Sequence, residues 1–326
     1  MQRKPFITFC IPTYNRAKEL EECLDSIIGQ ILQVDAQIGI IVSDNASNDG
    51  TQILMKKYVS QYPFVKYIVN KSNLGYDKNL IQAVRLATSK YVWLFGDDDS
   101  LEENILGKVI KILKENSFDY INLGYSLYNN GKKVPSNSFW RKYTPDEEIY
   151  ITNLNKLILL RNHLFTFMSS HILNKELINF GNLNKFIGIG TGWIHIFMVA
   201  ECLSRSSKGY YIPHCVKARA GNGRAGDKTF IALLTEVTPD LIQNYNLYPI
   251  VARNLEKGIE STMFSLRKFI KYKALSTHQY KSLFDLCAKY EICSMQRRIS
   301  KLVPKWAAFS FLRMKQRHKN GTVEVQ

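Results

Sequence analysis

The chain of 326 residues is 45% hydrophobic and 22% charged, a globular composition with enough apolar material for a large core, which excludes disordered, collagen-like and disulfide-scaffold proteins. Its 44 basic and 28 acidic residues leave a net charge of +16, so the surface as a whole attracts polyanions: nucleotide diphosphates, nucleic acid or anionic lipid headgroups. The cysteines Cys10, Cys23, Cys202, Cys215, Cys287 and Cys293 show no paired metal-ligand spacing and read as buried thiols of a reducing compartment.

The apolar run 6–11, stopped by Pro12, predicts a first strand rather than a signal peptide. Residues 17–31 follow with Leu20, Leu24, Ile27, Ile28 and Ile31 on one helical face. A second strand is predicted over 38–42; it opens into the polar loop 43–50, and a helix is predicted over 51–60. Residues 65–69 predict a third strand, and 77–87 a helix with Leu80, Ile81, Val84 and Ala87 turned inward. The fourth strand, 91–95, runs straight into Gly96-Asp-Asp-Asp99, after which 101–114 predicts a helix. Strands alternating with helices imply an α/β fold whose mostly parallel sheet is covered on both faces, with ligands gathering at the carboxyl ends of the strands.

Beyond residue 116 the pattern is mixed: a strand over 120–127, a turn at 129–131, helices over 153–161 and 193–203, and a glycine-rich loop over 218–226. From residue 230 onward the chain reads helical, broken at Pro239, Pro249 and Pro304. No run approaches the ~18 apolar residues that a membrane-spanning helix needs.

Three polar clusters fall at predicted strand ends: Thr13-Tyr14-Asn15, Asp44-Asn45, and Asp97 to Asp99. Adjacent carboxylates repel one another, so a loop that holds three of them calls for a cation. Hard oxygen ligands favour Mg²⁺ or Mn²⁺, with positions left open for a diphosphate. The alternative is a helix cap at Asp99 or Ser100 before Leu101. Asp44 suits a base or ribose hydroxyl, with Asn45 donating, or else caps its own loop.

The stretches Ile11-Pro-Thr-Tyr-Asn-Arg16, Val42-Ser-Asp-Asn-Ala-Ser-Asn-Asp-Gly-Thr51, Asn73-Leu-Gly75 with Asn79, and Trp93-Leu-Phe-Gly-Asp-Asp-Asp99 together resemble family 2 glycosyltransferases of GT-A fold, and within them the abequosyltransferase-type enzymes of O-antigen assembly. The resemblance covers residues 5 to 115 and is weaker beyond 150. It implies a GT-A domain over 1–230, with a nucleotide-sugar half (1–116) and an acceptor half (117–230), followed by a basic helical region over 231–326. It implies that Pro12, Thr13, Tyr14 and Asn15 line the nucleotide pocket with Asp44, Asn45, Asn73, Gly75 and Asn79. Asp97 and Asp98 then contact the nucleotide sugar, while Asp97 and Asp99 hold Mn²⁺ or Mg²⁺. The implied reaction is inverting transfer from a nucleotide diphosphate to a cell-envelope glycan or polyprenyl-diphosphate-linked acceptor.

Two departures stand out. The usual D-x-D-D appears as Gly96-Asp-Asp-Asp99, and the E-D pair that supplies the base in many relatives is missing from Gly190-Thr-Gly-Trp-Ile-His195. His195 is the nearest group suited to a base at neutral pH, the alternative being a histidine packed in an apolar helix; Asp227 is the second candidate. The loop 219–226 carries Arg219 and Arg224, suited to closing over phosphates or to a solvated surface.

Sixteen basic and five acidic residues lie between Arg253 and Gln326, interleaved with Trp306, Phe309 and Phe311, a pattern that fits either an anionic membrane surface or a solvated helical face. The expected location is cytoplasmic, in solution or at the cytoplasmic face of the membrane. Two rival functions remain: a catalytically idle sugar-nucleotide-binding relative, which the missing acidic pair allows, and a nucleic-acid-binding protein. Against the second, no zinc-finger, RNP or basic-zipper pattern occurs, so no nucleic-acid partner is expected.

Overall fold

The computed structural model describes residues 4–129, 132–134, 146–153, 157, 166–187, 192–219, 241 and 244–245. Arg224, Asp227, most of the helix expected at 153–161, and the basic region from 253 onward lie outside them. The chain separates into two units, one of Met1–Arg224 with Gln243–Leu247, the other of Ala225–Ile242 with Tyr248–Gln326. The first unit contains the sheet and the helices that flank it.

Strands β1 (Ile7–Thr13) and β2 (Ile38–Asp44) are buried along their whole length, as expected of strands covered on both faces. They pair in parallel with each other, and β3 (Val65–Val69) and β4 (Tyr91–Leu94) extend the parallel sheet on either side. Helix α1 (Ala17–Ile31) turns Leu20, Cys23, Leu24, Ile27, Ile28 and Ile31 into the core, the predicted face with Cys23 added. Helices α2 (Thr51–Gln61) and α3 (Tyr76–Leu86) complete the crossovers.

The predicted helix at 101–114 starts later than its sequence suggests. Ser100–Leu101 forms a short strand, β5, and helix α4 covers Ile105–Asn116 after Asn104 in the left-handed region, φ 59°. The Leu106 N–H donates to Gln30 Oε1 at 3.0 Å, so α1 satisfies the helix start. Asp99 and Ser100 therefore do not cap this helix.

Beyond β4 the sheet becomes mixed. Strand β6 (Tyr120–Asn129) folds back on β7 (Lys132–Lys133), in keeping with the expected turn. Strands β8 (Ile149–Ile151), β9 (His171–Asn174) and β10 (Gly209–Arg219) complete the order β3-β2-β1-β4-β9-β6-β10-β5, with β8 on β10 and β7 on β6. β9 runs antiparallel to both β4 and β6, so the expected parallel character holds for the first four strands and not for the whole sheet. Helices α5 (Phe180–Ile187) and α6 (Ile194–Arg205) pack together through Phe186 and Phe197, stacked at 3.8 Å.

Phe9, Trp93 and Phe95 form an aromatic cluster, with Phe9 and Trp93 stacked at 4.7 Å and all three fully buried. The Trp93 Nε1–H donates to the Ser169 carbonyl at 3.0 Å. This cluster is a stiff platform directly beneath the residues that follow β4. The cysteines Cys10, Cys23, Cys202 and Cys215 are free and buried, as expected of structural thiols. Among the described residues no helix is long and apolar enough to cross a membrane.

Candidate active site

The carboxyl ends of β1, β2 and β4 lie side by side, and the three polar clusters meet there. Asp97 is buried: Thr13 Oγ1 donates to its Oδ2 at 2.8 Å, and Arg16 Nη1 to its Oδ1 at 2.9 Å. The same Arg16 nitrogen reaches Asp98 Oδ2 at 2.7 Å. Asp99, also buried, accepts from Ser169 Oγ at 2.5 Å and from the Arg219 N–H at 3.2 Å. Asp98 has the most exposed side chain of the three, 34%, and its Oδ1 has no partner among the described residues.

Burial pushes the Asp97 carboxyl up to about 6, with Arg16 pulling it down and Asp98 pushing it up. Asp99 is raised too, by burial first and by the Asp98 charge next. In both cases burial and the neighbouring carboxylate oppose ionisation, and Arg16 offsets this at Asp97. Gly96 accounts for the departure from D-x-D-D: a Cβ there would lie 2.8 Å from Asp99 Oδ2 and 3.3 Å from Ser169 Oγ. Its N–H donates to Ser169 Oγ at 2.8 Å, so Ser169 ties the start of the acidic loop to its end.

The second cluster is hydrogen-bonded within the protein. Asp44 is fully buried, and its two oxygens accept from the Ser47 N–H at 2.9 Å and from Tyr67 Oη at 2.5 Å. This is the loop-cap alternative, and the Asp44 oxygens are engaged within the protein. Asn45 accepts from the Leu74 N–H and donates to Asn73 Oδ1, each at 2.7 Å. Asn79 accepts from Ser43 Oγ at 2.7 Å and donates to the Ser43 carbonyl at 2.8 Å. Asn45, Asn73 and Asn79 thus brace the loop that Gly75, at φ 82°, turns into α3. Asn15, at φ 52°, accepts from the Asn48 N–H and donates its own N–H to Ser47 Oγ. Pro12 is buried in β1, and Tyr14 is half-buried just beyond its end.

His195 is packed within the protein, as in the alternative of a histidine in an apolar helix. It is 3% exposed, its Nε2 lies 2.9 Å from the Thr166 carbonyl, and its Nδ1 lies 3.3 Å from Tyr76 Oη. A carbonyl only accepts, so the proton sits on Nε2. Burial pushes the ring down to about 4 against the pull of that carbonyl. The folded ring refuses a proton that the unfolded chain takes up near 6.5, so its contribution to stability is present above pH 6.5 and is lost as pH falls toward 4. The NMR signals of this ring are expected to stay those of the neutral Nε2–H tautomer between neutral pH and about pH 5. Titration with a midpoint near 6.5 would contradict the buried assignment.

Asp77, from the first turn of α3, accepts from the N–H groups of Gly192 and Ile194, each at 3.1 Å. A carboxylate therefore does reach the start of α6, where the E-D pair was missing, but from a different element and with its oxygens on backbone donors. Arg219 ends β10, and its guanidinium pairs with Glu22. Arg16, Ser169, Tyr67 and Asp77 escaped the sequence reading. Arg16 lay inside a quoted motif, whereas the others depend on contacts across the fold that spacing does not carry.

The fold is shared with solved glycosyltransferases. S. aureus TarS 1–349 in complex with UDP-GlcNAc superposes with a TM-score of 0.63 at 18% identity, over 92% of this chain and 84% of that one. The mannosyltransferase PcManGT from Pyrobaculum calidifontis, in complex with GDP-Man and Mn²⁺, gives 0.51 at 15% identity, over 89% and 88%. These likenesses define a GT-A-type α/β fold. The profile of glycosyl transferase family 2 matches residues 8–203, and the chain belongs to that family. Abequosyltransferase RfbV of Salmonella typhimurium is 35% identical over 205 residues, which are 59% of this chain and 60% of that protein. The poly(ribitol-phosphate) beta-glucosyltransferase of Bacillus spizizenii is 30% identical over 146 residues, which are 44% of this chain and 22% of that protein. The chain thus spans less than two thirds of the length of either curated relative.

Proposed function

We propose that this protein transfers a sugar from a nucleotide diphosphate donor to a hydroxyl of a bacterial cell-envelope glycan, free or carried on a polyprenyl diphosphate, with inversion at the anomeric carbon. The observation that carries the reading is the acidic tip after β4, where two carboxylates are anchored by protein donors and Asp98 keeps a free oxygen.

The donor set suits a hard divalent ion. Such an ion arrives with phosphate oxygens and water in its shell and needs only one or two protein carboxylates. Among the described residues no three acidic, histidine or cysteine side chains converge to hold an ion unaided. In this reading Asp98 presents the ligand oxygen, while Asp97 and Asp99, the pair expected from the motif, fix the loop that carries it. When bound, Mn²⁺ or Mg²⁺ would offset charge on the departing diphosphate.

The chain's own residues do the rest. Thr13 and Arg16 orient Asp97, and Ser169 and the Arg219 N–H orient Asp99. The asparagine network holds the nucleotide-side loop, and Asp77 holds the start of α6. His195 acts through Tyr76 as a positioning group, which leaves Asp227 as the candidate to take the acceptor's proton. Arg224 is retained as a candidate for the diphosphate on its sequence alone. The UDP-GlcNAc and GDP-Man in the two solved structures support a nucleotide sugar as the donor class, and the likeness to RfbV supports a cell-envelope glycan as acceptor. The basic region from Arg253 onward suits the anionic face of a membrane, where a lipid-linked acceptor resides.

The engagement of Asp77 with backbone donors favours one second reading, a relative that binds the donor without turnover. A thermal-shift screen of uridine, cytidine, guanosine and thymidine diphosphate sugars, with and without Mn²⁺, tests the proposal. One donor class is expected to raise the melting temperature only when the ion is present, and that donor is expected to be consumed when an envelope glycan is added. Stabilisation without consumption would favour the idle relative. No response to any donor, with salt-sensitive binding to random DNA, would overturn both readings.

A further inference from the structure

Arg16 stands at the junction of β1 and α1, and its side chain is 24% exposed. One of its nitrogens, Nη1, serves two neighbouring carboxylates, Asp97 at 2.9 Å and Asp98 at 2.7 Å. Helix α1 does not need this arrangement, because Asp49 accepts from the Ala17 N–H at 2.9 Å. Among the described residues no other cationic side chain pairs with Asp97, Asp98 or Asp99, and Nη2 and Nε of Arg16 have no partner. The guanidinium thus supplies positive charge to two of the three adjacent carboxylates, while using part of its donor fork.

We propose that Arg16 is a resident counter-ion, exchanged for the divalent ion when a diphosphate arrives, so that ion and diphosphate bind together and the ion alone binds weakly. This inference rests on the donor reading above. Two cations on one carboxylate repel each other, so an ion approaching Asp98 alone must compete with a permanently charged guanidinium already in hydrogen-bond contact. A diphosphate removes the conflict: its oxygens match the guanidinium fork in a way that a single shared nitrogen does not, and Asp98 is released to the ion. Lysine lacks the fork and is no substitute at such a position.

The test is Mn²⁺ binding, followed by the electron paramagnetic resonance signal of the free ion, to the full chain and to Arg16→Gln and Arg16→Lys. Each is titrated with Mn²⁺ alone and with Mn²⁺ plus pyrophosphate, a probe that makes no demand on the nucleotide base. In the wild type pyrophosphate is expected to strengthen Mn²⁺ binding by about tenfold or more. In Arg16→Gln, Mn²⁺ alone should bind about tenfold more tightly than in the wild type, with most of the pyrophosphate enhancement gone. Arg16→Lys should keep weak binding of the ion alone and lose most of the enhancement.

Should Arg16→Gln fail to fold, the double variant Arg16→Gln/Asp97→Asn removes the buried charge with its partner and serves in its place. Equal affinity for Mn²⁺ alone in the wild type and the glutamine variant, with the enhancement intact in both, would overturn the counter-ion role and leave the donor reading standing. If the wild type binds Mn²⁺ neither with pyrophosphate nor with any nucleotide diphosphate, the donor reading itself fails.

Discussion

Asp98→Asn is expected to lower sugar transfer roughly a hundred- to a thousand-fold while leaving the unfolding midpoint unchanged or slightly higher. Asparagine keeps the shape of the side chain and one carbonyl oxygen but removes the charge that a divalent ion requires. The stability forecast follows from exposure. Asp98 is 34% exposed and its Arg16 partner 24%, and a pair this accessible contributes on the order of 0–1 kcal/mol. That loss is offset by relief of the repulsion that raises Asp97 and Asp99. Asp97→Ala and Asp99→Ala should behave differently, losing activity and stability together, because each strands a buried hydroxyl, Thr13 in one case and Ser169 in the other, and removes a partner of Arg16 or of the Arg219 N–H. Transfer rates for the three variants beside their melting temperatures separate the two behaviours. An Asp98→Asn enzyme that works within a few-fold of the wild type would return the ligand role to its neighbours.

Gly124→Ala is expected to cost roughly 3 kcal/mol, the upper end for overpacking a tight site. Strand β10 carries a bulge opposite this glycine: Ile212 pairs with Leu123 and Val216 with Tyr125, so residues 213–215 face Gly124 alone. Pro213 removes a ladder donor there, and His214 sits in the left-handed region at φ 54°. A Cβ at position 124 would lie 2.6 Å from Tyr211 Oη, 2.9 Å from the His214 nitrogen and 3.0 Å from Pro213 Cα. Two of these are backbone atoms that cannot swing aside. Gly29→Ala is the control: it lies in α1 with nothing within 4 Å of the new methyl, and should be neutral or stabilising by up to about 1 kcal/mol. Urea denaturation of both variants checks the contrast, and a Gly124→Ala protein as stable as the wild type would show that the bulge can re-form elsewhere.

The first four strands and the helices between them were legible in the sequence because their signals are local and repeated. Helix α1 and strand β3 have the predicted bounds, since the apolar spacing and the flanking polar loops agree. The start of α4 was misread because Leu101 and the acidic residues after it look like a first turn, whereas Ser100 and Leu101 pair with Lys217 and Val216. No local pattern announces a pairing over that distance. Strand β9 is four residues long, and Pro213 interrupts β10, so neither stood out as a strand.

The site divides along the same line. Asp97 to Asp99 were identifiable as a charge problem awaiting a solution, but the solution comes from Arg16, Ser169 and the backbone of Arg219. The imidazole chemistry of His195 is visible in the sequence, whereas its burial beneath Thr166 and Tyr76 depends on how α6 docks.

One carboxylate gathers pieces of chain far apart in sequence: Asp99 fastens Ser169, 70 residues away, and the end of β10, 120 residues away. The acidic tip and the later segments that supply Ser169 and the end of β10 are consequently not independent pieces of the fold. A hybrid that replaced the chain after residue 116 with that of a relative would inherit an ordered tip only if the incoming segment brought a hydroxyl to position 169 and a free amide to the end of β10.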